Sequence, residues 1–410
     1  MQVLKKTVKV LYGESHSNID IKNNVPEGGL LRFAQIFREY FLGRSTIELS
    51  PVLFTHALKK GEPFIRNTTI KGHVFKEIVY DRELIRSMYS LSWTRTSFLK
   101  HVSPLIKQAE LLFDEVKPDI VFINGIILTN WVLLYVARKK KIPVVIQHAG
   151  IWKKEIRSGA NGLSSSLRKM FYQVERDTIT LGCHHIFLNE YSKNVFLNLY
   201  RINEKQLLSF RIIPLPIPLP DSVTDSRKPH AGTSVKIGVV ARWDSIKNHS
   251  AVLRLATAMS ALKNWSVHTV ASMPQKLSDF GQRYVKQVII HKPMSPQQLT
   301  HFYRSMDVVF LPSHFDVSPG VVPEALLAGT PVIISERVGW VDEFRACGLD
   351  DHIISGKASG KTLLAAVKNI VQKSKENQIK YTELVHHIRK QHDPKKVLKQ
   401  YEDLFTAAVN

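Results

Sequence analysis

Apolar residues along the chain fall into short unbroken runs separated by longer amphipathic stretches. Thr7–Tyr12, Ile47–Phe54, Pro118–Asn124, Pro143–Gln147 and His184–Asn189 have strand length, whereas Leu30–Tyr40, Glu83–Phe113, Thr129–Lys139 and Ser192–Tyr200 carry helical spacing. The alternation resumes after residue 234. Strands are predicted at Val235–Val240, Trp265–Ser272, Val288–His291, Asp307–Leu311 and Pro331–Ser335. Helices are predicted from near Ser250 and over Ser295–Ser305, Val321–Ala328, Lys361–Lys373, Lys380–Lys390 and Pro394–Asn410. Apolar strands alternating with amphipathic helices imply an α/β protein with parallel sheets, whose sites lie at the carboxyl ends of the strands.

Between the two series, residues 211–234 hold four prolines in seven positions and then a polar tract, the pattern of an extended linker. The predicted domains are therefore 1–213 and 235–393, joined by 214–234. A last helix, 394–410, is expected to cross back to the first domain. With 410 residues, 44% hydrophobic and 22% charged, the chain is long enough for two cores of ordinary globular composition. Its two cysteines, Cys183 and Cys347, lack metal-type spacing and fit a reducing compartment. The first residues have no apolar core or cleavage site of a signal peptide, and Val121–Ala137 is interrupted by Asn124, Gly125 and Asn130, so no membrane span is expected.

A net charge of +22 leaves three classes of partner open: an anionic membrane surface or acceptor, nothing beyond general basicity, or nucleic acid. No nucleic-acid-binding module is recognisable, so none is expected to bind. The basic stretch of Lys153, Lys154, Arg157, Arg168 and Lys169 around Trp152 reads equally as a loop meeting a phosphate-bearing or membrane-bound acceptor and as a solvated loop. His386, His387 and His392 have no ligand spacing, and no Asp-x-Asp, GxxxxGK[ST] or H-E-x-x-H occurs, so no metal site is expected.

Candidate chemistry concentrates after residue 240. Arg242 and Lys247 stand five apart in a strand-to-helix loop and suit a diphosphate, one as a fork and the other as a point charge. Farther on, residues 307–343 read as strand, loop, short helix, strand. Pro323 places the helix start with Gly320 at the N-cap, so the amides of Val321 and Val322 are expected to face an anion. Asp316 and Glu324, eight residues apart, are carboxylates suited to accept from sugar and ribose hydroxyls.

The run Asp316-Val317-Ser318-Pro319-Gly320-Val321-Val322-Pro323-Glu324-Ala325, continuing to Gly329-Thr330-Pro331-Val332, resembles the E-x7-E signature of the retaining glycosyltransferases of group 1 (family 4). Departures are Asp316 for the first Glu, Val317 for Gly, Gly320 for Asn and Pro323 for Leu. The resemblance implies a GT-B fold, two doubly wound Rossmann-like domains facing a central cleft. It also implies metal-independent, retaining transfer of a hexose from a UDP- or GDP-sugar to a glycan or lipid-linked acceptor. Arg242, Lys247, Ser318, Gly320, Val321 and Val322 would bind the donor phosphates, Glu324 the ribose, and Asp316 and His148 the donor sugar. Gly29 would belong to a Gly-Gly loop, Gly28-Gly29, that lets backbone approach donor phosphate and acceptor. The expected setting is cell-surface polysaccharide or glycolipid synthesis, in the cytoplasm and peripheral on the inner face of the cell membrane. Competing expectations are a nucleotide-sugar-binding protein or degenerate transferase without turnover, and a nucleotide-sugar epimerase, a class that lacks this signature.

Overall fold

The computed structural model describes residues 7–14, 28–57, 61–84, 87, 94–158, 163–218, 234–271, 288–376 and 381–409. The chain divides into two compact units, one of residues 1–156, 162–216 and 394–410, the other of 157–161 and 217–393. Most of the expected linker, residues 219–233, lies outside the described residues, as do Trp93 and Lys380 of two expected helices.

In chain order the first series is β1 (Val8–Gly13), α1 (Gly28–Phe41), β2 (Ile47–Ala57), β3 (Phe64–Ile70), β4 (His73–Asp81), α2 (Arg95–Val116), β5 (Ile120–Asn124), α3 (Trp131–Lys139), β6 (Val144–His148), α4 (Trp152–Ser158), α5 (Ser165–Thr180), β7 (His184–Phe187), α6 (Glu190–Tyr200) and β8 (Ser209–Ile212). Its sheet runs β3-β4-β2-β1-β5-β6-β7-β8, parallel except for β3. The β3–β4 hairpin was not foreseen. It turns at Lys71 and Gly72, both left-handed (φ 51° and 79°), as a two-residue hairpin requires.

The second series is β9 (Val235–Val240), α7 (His249–Ala258), β10 (Trp265–Val270), β11 (Val288–His291), α8 (Pro296–Arg304), β12 (Val308–Leu311), α9 (Val321–Leu327), β13 (Val332–Ser335), α10 (Val341–Ala346), β14 (Ile353–Ile354), α11 (Gly360–Lys375) and α12 (Thr382–Gln391). Its all-parallel sheet runs β11-β10-β9-β12-β13-β14, the doubly wound order in which chain direction across the sheet reverses between β9 and β12. Every residue of β12 and β13 is buried, as in a sheet covered on both faces.

The last helix, α13 (Pro394–Val409), packs in the first unit. It buries Val397, Leu398, Tyr401, Leu404 and Phe405 at helical spacing, against α1, which buries Phe33, Phe37 and Phe41, and against Phe122 of β5. The rings of Phe33 and Phe37 each lie 5.6 Å from that of Tyr401. Beneath them the Tyr401 hydroxyl donates to Gln147 Oε1 at 2.5 Å, Gln147 Nε2 to Asn124 Oδ1 at 3.0 Å, and Asn124 Nδ2 to the Tyr12 hydroxyl at 3.3 Å. Burying these polar groups is tolerated because each finds a partner.

Around α4 part of the basic stretch is held by the fold, while Arg157, Arg168 and Lys169 are exposed. Trp152 donates its indole N–H to the Ile126 carbonyl (2.6 Å) and stacks on Phe171. Lys153 donates its ammonium to the Leu199 carbonyl (2.6 Å) over the face of Tyr200. The start of α4 is held by the buried Glu175 of α5, which accepts from the Trp152 and Lys153 amides (2.8 and 3.1 Å) and from the Tyr200 hydroxyl (2.6 Å). Burial outweighs these bonds and pushes the Glu175 carboxyl up to about 7. A raised carboxyl pKa stabilises the folded unit below the unfolded value of 4.5, and that stabilisation is lost as pH rises through 7. The difference amounts to about 3 kcal/mol at ~1.4 kcal/mol per unit. Melting temperatures from pH 4.5 to 8 should therefore fall less steeply in Glu175→Gln than in the wild type; parallel curves would show that Glu175 ionises normally.

Candidate functional site

The carboxyl ends of β9 and β12 flank the point where the second sheet reverses, and no crossover helix can close the crevice there. The loop after β9 is held by its own side chains. Asp244 Oδ1 accepts from the Ile246 amide (3.1 Å), starting a 3-10 turn over Ser245–Lys247. His249 at the head of α7 hydrogen-bonds the Arg242 carbonyl (2.8 Å) and lies under the Trp243 ring, 4.0 Å between centroids. Burial holds the His249 imidazole below its ordinary pKa, consistent with a neutral ring in that role.

Asn248 joins this loop to two others. Its backbone is left-handed (φ 55°), and its buried amide donates at 3.0 Å to both the Pro312 carbonyl after β12 and the Gly356 carbonyl after β14. The His314 amide donates back to the Ile246 carbonyl at 2.7 Å. Lys247 thus sits between two anchored neighbours. Its ammonium lies 2.5 Å from Asp316 Oδ2, with the two side chains 17% and 14% exposed, so both are mostly but not fully buried. Asp316 is itself fixed by backbone bonds, its amide to the Arg337 carbonyl (3.2 Å) and its carbonyl from the Gly339 amide (2.9 Å).

Farther along, α9 has Gly320 as N-cap with no side-chain cap, and Pro323 occupies the first turn, where its missing N–H costs nothing. The Glu324 carboxylate accepts from the Tyr303 hydroxyl of α8 at 3.0 Å, and a Cβ placed on Gly320 would come within 3.4 Å of Glu324 Oε1.

The second unit thus brings together Arg242, Lys247, Asp316, Ser318, Gly320, Val321 and Glu324 on the loops and helix that follow β9 and β12. Arg242 is exposed and Ser318 half-buried. Three expectations change. Val322 directs its amide at the Pro319 carbonyl (3.3 Å), because the chain enters α9 through a tight turn, so that amide does not face outward. Gly28 and Gly29 form the first turn of α1, with no Gly-Gly loop there.

His148 is 1% exposed at the end of β6, its Nε2 hydrogen-bonded to His185 Nδ1 (2.9 Å) and its ring packed on Phe187 and Phe196. Burial, with His185 alongside, holds it well below the ordinary histidine pKa. It is a neutral core residue of the first unit, closed to a sugar. Tyr303 and Asn248 were missed, since a tyrosine or asparagine at these positions carries no motif. Among the described residues no group of three or more His, Cys, Asp or Glu side chains is placed to hold a metal ion.

Residues 234–373 match the family model for glycosyl transferases group 1. Comparison with curated protein sequences gives no match. The chain is similar in fold to sucrose-phosphate synthase from Thermosynechococcus elongatus (TM-score 0.68, 12% identity, covering 98% of this chain and 100% of that one). It is similar also to an α,α-trehalose-phosphate synthase (UDP-forming) from Burkholderia vietnamiensis (TM-score 0.68, 10% identity, 98% and 97%). A third is the E. coli structure described as trehalose-6-phosphate bound with UDP-2-fluoro glucose (TM-score 0.65, 12% identity, 97% and 99%). The fold is GT-B.

Because Asn248 supplies both bonds and a left-handed residue, its variants separate the two roles. Asn248→Gly keeps the backbone and loses the bonds, a cost of about 2–3 kcal/mol. Asn248→Ala adds roughly 1–2 kcal/mol of left-handed strain. Thermal melts should rank wild type above Gly above Ala; Ala equal to or above Gly would mean that the loop is not held in this conformation.

Proposed function

We propose that the protein is a retaining, metal-independent glycosyltransferase that moves a hexose from a nucleoside-diphosphate sugar to a glycan or lipid-linked acceptor. The observation that carries this reading is the meeting of Lys247 and Asp316 at the reversal point of the second sheet, with Arg242 on the loop after β9 and Glu324 on the helix after β12. Cations and carboxylates there suit the two halves of such a donor. Arg242 and Lys247 stabilise the charge that grows on the diphosphate as the glycosidic bond breaks. Glu324, steadied by Tyr303, accepts from the ribose hydroxyls, and Asp316 accepts from the sugar hydroxyls. The leaving phosphate takes the acceptor's proton on the same face of the sugar, which preserves the anomeric configuration. The group 1 match over residues 234–373 supports the same assignment.

The E. coli relative's UDP-2-fluoro glucose favours a UDP-sugar as the first donor to try. The charge of +22 supports a phosphate-bearing or membrane-held acceptor, hence a cytoplasmic place at the inner face of the cell membrane and a part in surface polysaccharide or glycolipid synthesis.

Thermal stability with UDP, GDP, ADP, CMP and their common sugar conjugates tests the donor half. At a hundred times its dissociation constant a ligand adds ~2.7 kcal/mol. One nucleotide class should stabilise the wild type, and the shift should disappear in Lys247→Ala and Glu324→Ala. Stabilisation that survives both substitutions would place the nucleotide elsewhere, and no shift with any nucleotide would end the transferase reading.

A further inference from the structure

Lys247 and Asp316 leave different strands, yet their side chains meet at 2.5 Å. Neither arrives there on a slack loop. Lys247 is held between Ile246 and Asn248, and the backbone of Asp316 is bonded on both sides to residues 337 and 339. A diphosphate that engages this ammonium therefore arrives at a cation already claimed by a carboxylate. An ammonium has three donors and can be shared, but two anions within its reach repel each other.

We propose, on the nucleotide-sugar reading above, that Asp316 is the residue by which the site distinguishes a sugar nucleotide from the bare nucleoside diphosphate. When the diphosphate takes Lys247, the carboxylate loses its partner. At 14% exposure it regains little from water. A sugar on the diphosphate brings hydroxyl donors to the same place and satisfies the carboxylate; a bare nucleotide brings none. The ion pair therefore penalises the product and spares the substrate. After transfer, return of Asp316 to Lys247 helps to expel the nucleotide. The exchange is between hydrogen-bond partners, with no covalent step.

Titration calorimetry on the full chain tests this with UDP and UDP-glucose, GDP and GDP-mannose, and ADP and ADP-glucose, for wild type, Asp316→Asn and Asp316→Ser. In whichever pair binds the wild type, Asp316→Asn should tighten the bare nucleotide about tenfold. Its sugar conjugate should bind unchanged or more weakly. Equal tightening of both would mean only that a nearby negative charge had been removed, and would overturn the proposal. So would unchanged affinities. Asp316→Ser, which also lacks the charge, must repeat the pattern if Asp316→Asn folds poorly. Wild-type binding with no change in preference sinks this inference alone; no nucleotide binding by the wild type sinks the underlying reading with it.

Discussion

A parallel sheet can be closed on both faces by its crossover helices but never at the carboxyl ends of the two strands where the winding reverses. In the second unit those strands are β9 and β12, and Arg242, Lys247 and Asp316 lie on the loops that follow them. Loops at such a crevice must be held without the ladder that holds strands. Asn248 does much of this by bonding the loops after β12 and β14 from the loop after β9. A left-handed non-glycine costs energy, and two buried hydrogen bonds offset it. The distance between Lys247 and Asp316 is a consequence of that stitching rather than of side-chain chance.

The first sheet reverses between β1 and β5. Near those strands polar side chains pair with one another: Glu14 with Arg38 in a buried ion pair, and a chain from Tyr12 through Asn124 and Gln147 to Tyr401. Arg38 also lies over the ring of Phe75, 5.2 Å from its centre, and burial raises the Glu14 carboxyl above its ordinary value. One member of the chain, Tyr401, comes from the last helix, so closing this network requires α13 in place. His148 ends β6 just beyond Gln147, and its own packing on His185, Phe187 and Phe196 belongs to the same interior.

Period and punctuation made most of the fold legible. The buried runs at Ile120–Asn124, Val144–His148, Val308–Leu311 and Val332–Ser335 were readable because a doubly covered strand is apolar without interruption. The β3–β4 hairpin was not, because Phe64–Ile70 is largely exposed and reads as polar, and its turn at Lys71 lacks the usual Asn or Asp. Arg242, Lys247, Asp316 and Glu324 stand out in the sequence as charged groups at fixed spacing, and the structure puts them on the loops and helix that follow β9 and β12. What spacing could not reveal is direction. It made His148 look like a site residue when its ring turns inward, and it gave no sign that Asn248 or Tyr303 supports the charged groups.

The start of α9 shows how one local turn redistributes these roles. Gly320 offers no side-chain cap, and the Val322 amide is drawn back to the Pro319 carbonyl, so this seven-residue helix turns fewer donors outward than its sequence implies. Any anion held in the crevice must then depend more on side-chain cations. Arg242 is exposed to solvent, whereas Lys247 is mostly buried and already bonded to Asp316. Arg242 can thus meet an approaching anion in solvent, but the partly desolvated ammonium makes the stronger contact once a ligand displaces water. A carboxylate so close to the cation weakens binding at rest. It is tolerable only where the incoming ligand supplies the carboxylate with new donors, which an anion bearing hydroxyl groups does.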